Sequence, residues 1–99
     1  MYSQTELALL TQAASMYIDT LDNETKQQLK TGVLYFSSFG QDDFVQEFME
    51  KNGVDIFPSN YTEKDAELYT DTFFPMLCRE MDKRNITYTL ADCYQYCVA

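Results

Sequence analysis

Apolar residues recur at steps of three and four along most of the chain, which predicts a mostly helical protein. The first such segment follows a capping box, in which the Ser3 hydroxyl and the Glu6 carboxylate each satisfy an amide that would otherwise lack a partner. We expect this helix to reach about Leu21. Its core-facing residues are Leu7, Leu10, Ala14, Tyr17 and Leu21.

A second helix is predicted from Asp22 or Asn23, either of which can cap its first turn. The end of this helix is ambiguous, because Gly32 weakens a helix and residues 33–36 are also compatible with a short strand. If the segment is helical throughout, three apolar side chains share one side of it: Leu29, Val33 and Phe36.

The third helix is expected to begin at Gln41 or Asp42, after a break at Gly40, and to end at Gly53, where glycine suits a left-handed cap. Three apolar side chains are predicted to face the core: Phe44, Phe48 and Met49. The opposite edge carries carboxylates at spacings of four and three residues: Asp43, Glu47 and Glu50.

The longest helical pattern follows a connector at residues 54–61 and opens with a second capping box, Thr62 with Asp65. Because Pro75 lacks the amide hydrogen that a helix interior needs, we expect a kink there or two helices that meet near Phe74. The apolar positions are Ala66, Tyr69, Phe73, Leu77 and Met81. The cations near its end suit the helix dipole: Arg79, Lys83 and Arg84.

The last part of the chain carries almost no charge. Residues 86–89 are compatible with an extended segment, and Thr89 with Asp92 is expected to cap a short helix through Cys97, buried in this domain or against another copy. The sequence therefore predicts one domain over residues 1–99, a compact and mostly α-helical bundle of four to five helices. The sequence leaves open whether this fold also contains a minor two-stranded element that pairs 33–37 with 86–89.

The composition is that of a globular protein, with 45% hydrophobic residues and no apolar run near the roughly 20 residues of a membrane span. The chain start does not resemble a signal peptide, so we expect a cytoplasmic protein, in the host cell if the chain is of phage origin. An odd number of cysteines favours a reducing compartment. We interpret Cys78, Cys93 and Cys97 as small buried thiols, with a metal or redox role as the alternative, and expect no cofactor.

Several classes of function are disfavoured by what the sequence lacks. There is no histidine, no glycine-rich phosphate loop and no nucleophile elbow, so we expect no enzymatic activity. The seven basic residues are scattered, and the net charge of −9 opposes binding to nucleic acid and to anionic membranes. A protein partner is therefore expected rather than either of these.

The charge is concentrated between Asp42 and Asp71, where nine carboxylates face two lysines. Six of these acids form two stripes, with about 6 Å of rise between carboxylates four residues apart. The stripe on the third predicted helix is Asp43, Glu47 and Glu50, and the stripe on the fourth is Glu63, Glu67 and Asp71. Such stripes are either a solvated outer face or a surface for a basic partner. Tyr35, Tyr61 and Tyr69 flank the region, and exposed tyrosine beside charge is favoured at interfaces.

In size, acidity and lack of catalytic residues, the chain is similar to small phage or mobile-element proteins that inhibit nucleic-acid enzymes by mimicking the charge of DNA. This compositional similarity implies a non-catalytic inhibitor, of the anti-restriction or anti-CRISPR type, that binds a basic nucleic-acid-processing protein. The residues predicted to replace phosphates are Asp42, Asp43, Glu47, Glu50, Glu63, Glu67 and Asp71.

An alternative function is a helical interaction module that forms a homodimer or docks on another subunit through its uncharged C-terminal segment. Such an interface would depend little on salt, because it would be apolar. Its predicted residues are Tyr88, Leu90, Tyr94, Tyr96 and Val98.

Overall fold

A computed structural model describes residues 1–36 and 41–90, and four helices account for most of them. Helix α1 spans Gln4–Asp19, α2 spans Asn23–Thr31, α3 spans Asp42–Lys51 and α4 spans Glu63–Lys83. The predicted all-α fold is confirmed. The helix expected over residues 92–97 lies outside the described residues.

Helix α1 is the centre of the packing and contacts both α3 and α4. Two alanines on its inner face, Ala13 and Ala14, are fully buried, and such small side chains allow neighbouring helices to approach closely. Rings from α4 fill the space beside them, with Phe73 and Phe74 both inaccessible to solvent. The remaining large, fully buried side chains are Leu10, Ile18, Leu29, Val45, Met49, Leu77, Met81 and Cys78.

The predicted caps are present at three helix starts. In α1, the Ser3 amide donates to Glu6 Oε1 at 2.8 Å, and the Glu6 amide donates to Ser3 Oγ at 3.1 Å. Asp22 caps α2 by accepting from the Thr25 amide at 2.7 Å. Thr62 and Asp65 form the second capping box, at the start of α4. These local interactions set the helix starts independently of the rest of the fold.

The prediction that α2 can continue beyond Gly32 is wrong. Gly32 adopts a left-handed conformation with φ of 77° and ends the helix, as glycine does most easily. Val33 consequently leaves the core face and is 78% exposed, whereas Phe36 is buried. Neither predicted strand forms among the described residues: one isolated parallel bridge joins Phe36 to Leu90, a residue beyond the predicted 86–89, and position 37 lies outside the described residues.

Helix α4 continues without interruption past Pro75, so the alternative of two helices meeting near Phe74 is wrong. Buried side chains precede and follow the proline, and their packing against α1 holds the segment helical despite the missing amide hydrogen. No helix among the described residues is both long enough and apolar enough to cross a membrane.

The inner face of α3 differs from the prediction, which is right for Met49 but not for Phe44 and Phe48. Val45 and Met49 are fully buried, whereas Phe44 and Phe48 are half-buried at the edge of the core. The Phe44 ring instead contacts the edge of Tyr17 from α1, with 5.5 Å between ring centroids. Because Val45 and Met49 face inward, Asp42 lies on the side of α3 that is turned away from open solvent.

Candidate partner-binding surface

Six of the seven predicted acidic residues are exposed. Those on α3 are Asp43, Glu47 and Glu50, and those on α4 are Glu63, Glu67 and Asp71. Asp42 differs, because it is half-buried. It lies three residues before buried Val45, so the side of α3 that carries it borders the core rather than the solvent.

The negative charge of the exposed carboxylates on α3 is only partly balanced by nearby cations. Glu47 forms an ion pair with Lys51, at 3.1 Å between Nζ and Oε1, and both side chains are about 70% exposed. Such a pair contributes little to stability and is screened by salt. Glu50 accepts a hydrogen bond from the neutral Gln46 amide at 3.2 Å, which leaves its charge in place. The stripe on α3 therefore keeps most of its negative charge.

The helices that carry the two stripes, α3 and α4, border one cleft, which has a volume of about 330 Å³. Asp42 and Gln46 of α3 line one side of the cleft, and α4 contributes Ala66, Tyr69 and Thr70. The connector between the helices adds two rings, Phe57 and Tyr61.

The exposed acids are the helical neighbours of these lining residues. Glu50 lies four residues after Gln46 on α3, and on α4 Glu67 lies three residues before Thr70. Residues three or four apart on a helix occupy adjacent positions on its surface. The helices that carry the two stripes therefore border one cleft, and of the seven predicted acids Asp42 is the one that lines it.

Burial perturbs the titratable groups of the cleft. The pKa of the Asp42 carboxyl is raised, chiefly because the carboxyl is withdrawn from water; contact with the Tyr69 hydroxyl opposes this and the nearby Asp43 charge adds to it. The pKa of Tyr69 is also raised, first by burial and then by the charge of Asp42. Tyr61 shifts in the same direction for the same two reasons.

A second depression lies on the other side of Tyr61 and includes Tyr2 and the carboxylates of Glu6 and Asp65. Burial, followed by electrostatic interactions with Tyr61 and these two acids, raises the pKa of Tyr2 to about 12. Tyr2, Tyr61 and Tyr69 are consequently neutral near pH 7. Their rings and hydroxyl groups, rather than a phenolate, are what this surface presents.

Of the five residues in the alternative oligomer interface, only Tyr88 and Leu90 lie within the described part of the chain. Both are half-buried and pack against the core of their own chain. The Tyr88 ring lies 5.5 Å from that of Phe36, and burial together with contact to Cys78 raises the pKa of its hydroxyl. The other three lie outside the described residues: Tyr94, Tyr96 and Val98.

The cleft itself was not foreseen in the sequence. The sequence predicts Tyr61 and Tyr69 as interface residues and Asp42 as an exposed partner-binding acid, but nothing in it brings the three together. An aromatic residue in a connector, followed by a helix with tyrosine on its inner face, is the available signal, and it is too common to be specific. The cleft depends on the relative placement of two helices that are distant in sequence.

No group of three or more cysteine, aspartate or glutamate side chains is placed to hold a metal ion within residues 1–36 and 41–90. Cys78 is buried in the core, and the other two cysteines lie outside those residues. No protein-family model matches the chain, and no curated protein or solved structure is significantly similar to it.

Proposed function

We propose that this protein is a non-catalytic inhibitor that binds the basic, nucleic-acid-binding surface of an enzyme or complex. The observation that carries the proposal is the position of six exposed carboxylates on two helices that border one cleft. A surface of this kind attracts a protein whose lysines and arginines normally contact phosphates, and it competes with nucleic acid for them.

The shortage of neighbouring cations supports a binding role over simple solubility. A solvated helix usually pairs glutamate with lysine at four-residue steps, and Glu47 with Lys51 is such a pair on α3. On α4, the residues four positions after Glu63 and Glu67 are themselves acidic, so this helix repeats like charges along one side. Like charges at this spacing destabilise a helix slightly, which a function in binding would explain.

The proposal is tested by capture of proteins from the lysate of the native host on the immobilised chain, at about 50 and 200 mM salt. We expect a nucleic-acid-processing enzyme that is released by the higher salt and displaced by its own nucleic-acid substrate. The triple variant Glu47→Lys, Glu63→Lys, Glu67→Lys should lose this partner while keeping its helical content.

A matched control separates surface position from total charge. Glu24, Asp55 and Asp82 are exposed acids outside the two stripes, and their reversal to lysine gives the same net charge as the first variant, −9 + 6 = −3. The control should retain the partner. Equal loss of binding in both triple variants, or in neither, would contradict a specific acidic surface on α3 and α4.

A further inference from the structure

The cleft between α3 and α4 has an aromatic lining and one carboxylate. Phe57 packs its ring against Tyr61 at 5.2 Å between centroids and against Tyr69 at 5.0 Å, with interplanar angles of 85° and 73°. The Phe57 ring is therefore steeply inclined to both tyrosine rings, and the three rings do not form a flat stack. Phe57 and Tyr61 are only half-buried, so part of each ring is accessible, and aromatic π faces attract cations.

Two buried oxygens at this cleft have no hydrogen-bond partner among the described residues. They are Asp42 Oδ1 and Tyr69 Oη, and Tyr69 is only 3% exposed. The two groups are close enough for each to affect the other's pKa, but their geometry is not that of a hydrogen bond. Buried polar atoms are normally satisfied, so the Asp42 carboxyl and the Tyr69 hydroxyl have capacity for a further donor.

The sign of the charge around the cleft defines that donor. None of the described residues that line the cleft is basic, and Asp42 is its one charged group. The acids of both stripes, including Asp43 next to Asp42, add negative potential nearby. An anionic ligand would be repelled, whereas a cation gains from the carboxylate, the π faces and the surrounding field together.

We propose that this cleft receives a single arginine side chain of the basic partner, with its guanidinium against the rings of Phe57, Tyr61 and Tyr69 and hydrogen-bonded to Asp42. This proposal rests on the proposed function, because the arginine belongs to the protein that the acidic stripes attract. It adds a specific anchor to an interaction that is otherwise governed by total charge.

Arginine fits this cleft better than lysine for three reasons. The guanidinium is planar and stacks on aromatic rings, it presents several donors in a fixed plane, and it is less strongly hydrated than an ammonium group. It can therefore donate to the Asp42 carboxylate while its plane lies against an aromatic ring. The volume of about 330 Å³ is at the small end for ligand sites and suits one side chain rather than a larger molecule.

The test is an NMR titration of the isotope-labelled protein with two blocked tripeptides, acetyl-Gly-Arg-Gly-amide and acetyl-Gly-Lys-Gly-amide. We expect the arginine peptide to bind about fivefold more tightly or better and to shift the ring resonances of Phe57, Tyr61 and Tyr69. Asp42→Asn, which keeps the side-chain shape, should weaken the arginine peptide by about tenfold. Asp55→Asn is the control with the same charge change outside the cleft, and it should bind within about twofold of the wild type.

Equal affinity for the two peptides, or equal effects of Asp42→Asn and Asp55→Asn, would overturn the arginine site. Tyr61→Leu provides a second variant that removes one ring and leaves the carboxylate in place, and it should also weaken the arginine peptide. An oligolysine probe distinguishes this proposal from the proposed function. If oligolysine binds the wild type and not the Glu47, Glu63, Glu67 reversal while the arginine peptide fails to bind, only the cleft assignment is wrong.

Discussion

The guanidinium of Arg84 donates two hydrogen bonds to Ser15, one to Oγ at 2.8 Å and one to the carbonyl oxygen at 3.0 Å. These bonds join the end of α4 to the fourth turn of α1. Arg84 also pairs with Asp19 on α1 and, at 3.4 Å, with Glu80 on its own helix. Its side chain is 28% exposed, so the contacts are partly shielded from water. Arg84 therefore links the two helices with the most extensive packing in the described structure.

Arg84→Lys is expected to lower the free energy of unfolding by about 1–3 kcal/mol, because an ammonium group cannot reproduce the planar set of donors to Ser15 and Asp19. The measurement is urea unfolding followed by circular dichroism. Lys83→Ala is the control, since Lys83 is 76% exposed and its single pair with Glu80 is 3.6 Å long. It should change stability by less than about 0.5 kcal/mol. Similar losses in the two variants would contradict a linking role for Arg84.

Asp42→Asn is expected to increase stability near pH 7. The raised pKa of Asp42 means that the folded protein binds its proton more tightly than the unfolded chain does. Stability from this group is therefore fully present below the unfolded value of 3.8 and is lost as pH rises through the folded pKa. The gain of the variant over the wild type should be greatest at neutral pH and should disappear below the unfolded pKa, as measured by urea unfolding across that range.

The opposite behaviour is expected at the helix cap Asp22. Its pKa is lowered, chiefly by the hydrogen bonds from Thr25, so its contribution is present above the unfolded value of 3.8 and is lost as pH falls through the folded pKa. Asp22→Asn keeps a good capping side chain but removes the titration. The advantage of the wild type over this variant should shrink as pH falls below 3.8, in thermal unfolding. A difference that is constant with pH would show that the charge of Asp22 is unimportant.

Gly32→Ala is expected to cost about 1–2 kcal/mol, because an L-residue with a Cβ is strained at a φ of 77°. Crowding should contribute little, since the nearest atom to an added Cβ is Thr89 Oγ1 at 3.7 Å, an ordinary contact distance. Gly53 has nearly the same φ, 78°, and no atom within 4 Å. Gly53→Ala should therefore show a similar loss of stability, and a much larger loss at Gly32 alone would implicate crowding. Gly32→Asn should cost less than Gly32→Ala, because asparagine tolerates this conformation better.

Local signals in the sequence were sufficient for the helix starts. The capping residues Ser3, Asp22 and Thr62 act within three residues of themselves, so their effect does not depend on distant parts of the chain. The end of α2 was harder to predict, because residues 33–36 are acceptable both in a helix and in a strand. Two features of the structure end α2 here. Gly32 is left-handed, and the Phe36 amide donates to the Thr89 carbonyl at 2.8 Å, 53 residues away.

The sequence by itself determined the all-α class, the acidic character of residues 42–71 and the exposed side of each stripe, because charge and helical periodicity are properties of short segments. Only the tertiary structure decided that α3 and α4 border one cleft and that Asp42 lines it. The packing of α1 against both α3 and α4 sets their separation, and the rings of the connector line the space between them. Burial of Asp42 follows from that arrangement, since an aspartate in the first turn of an isolated helix would be an ordinary exposed position.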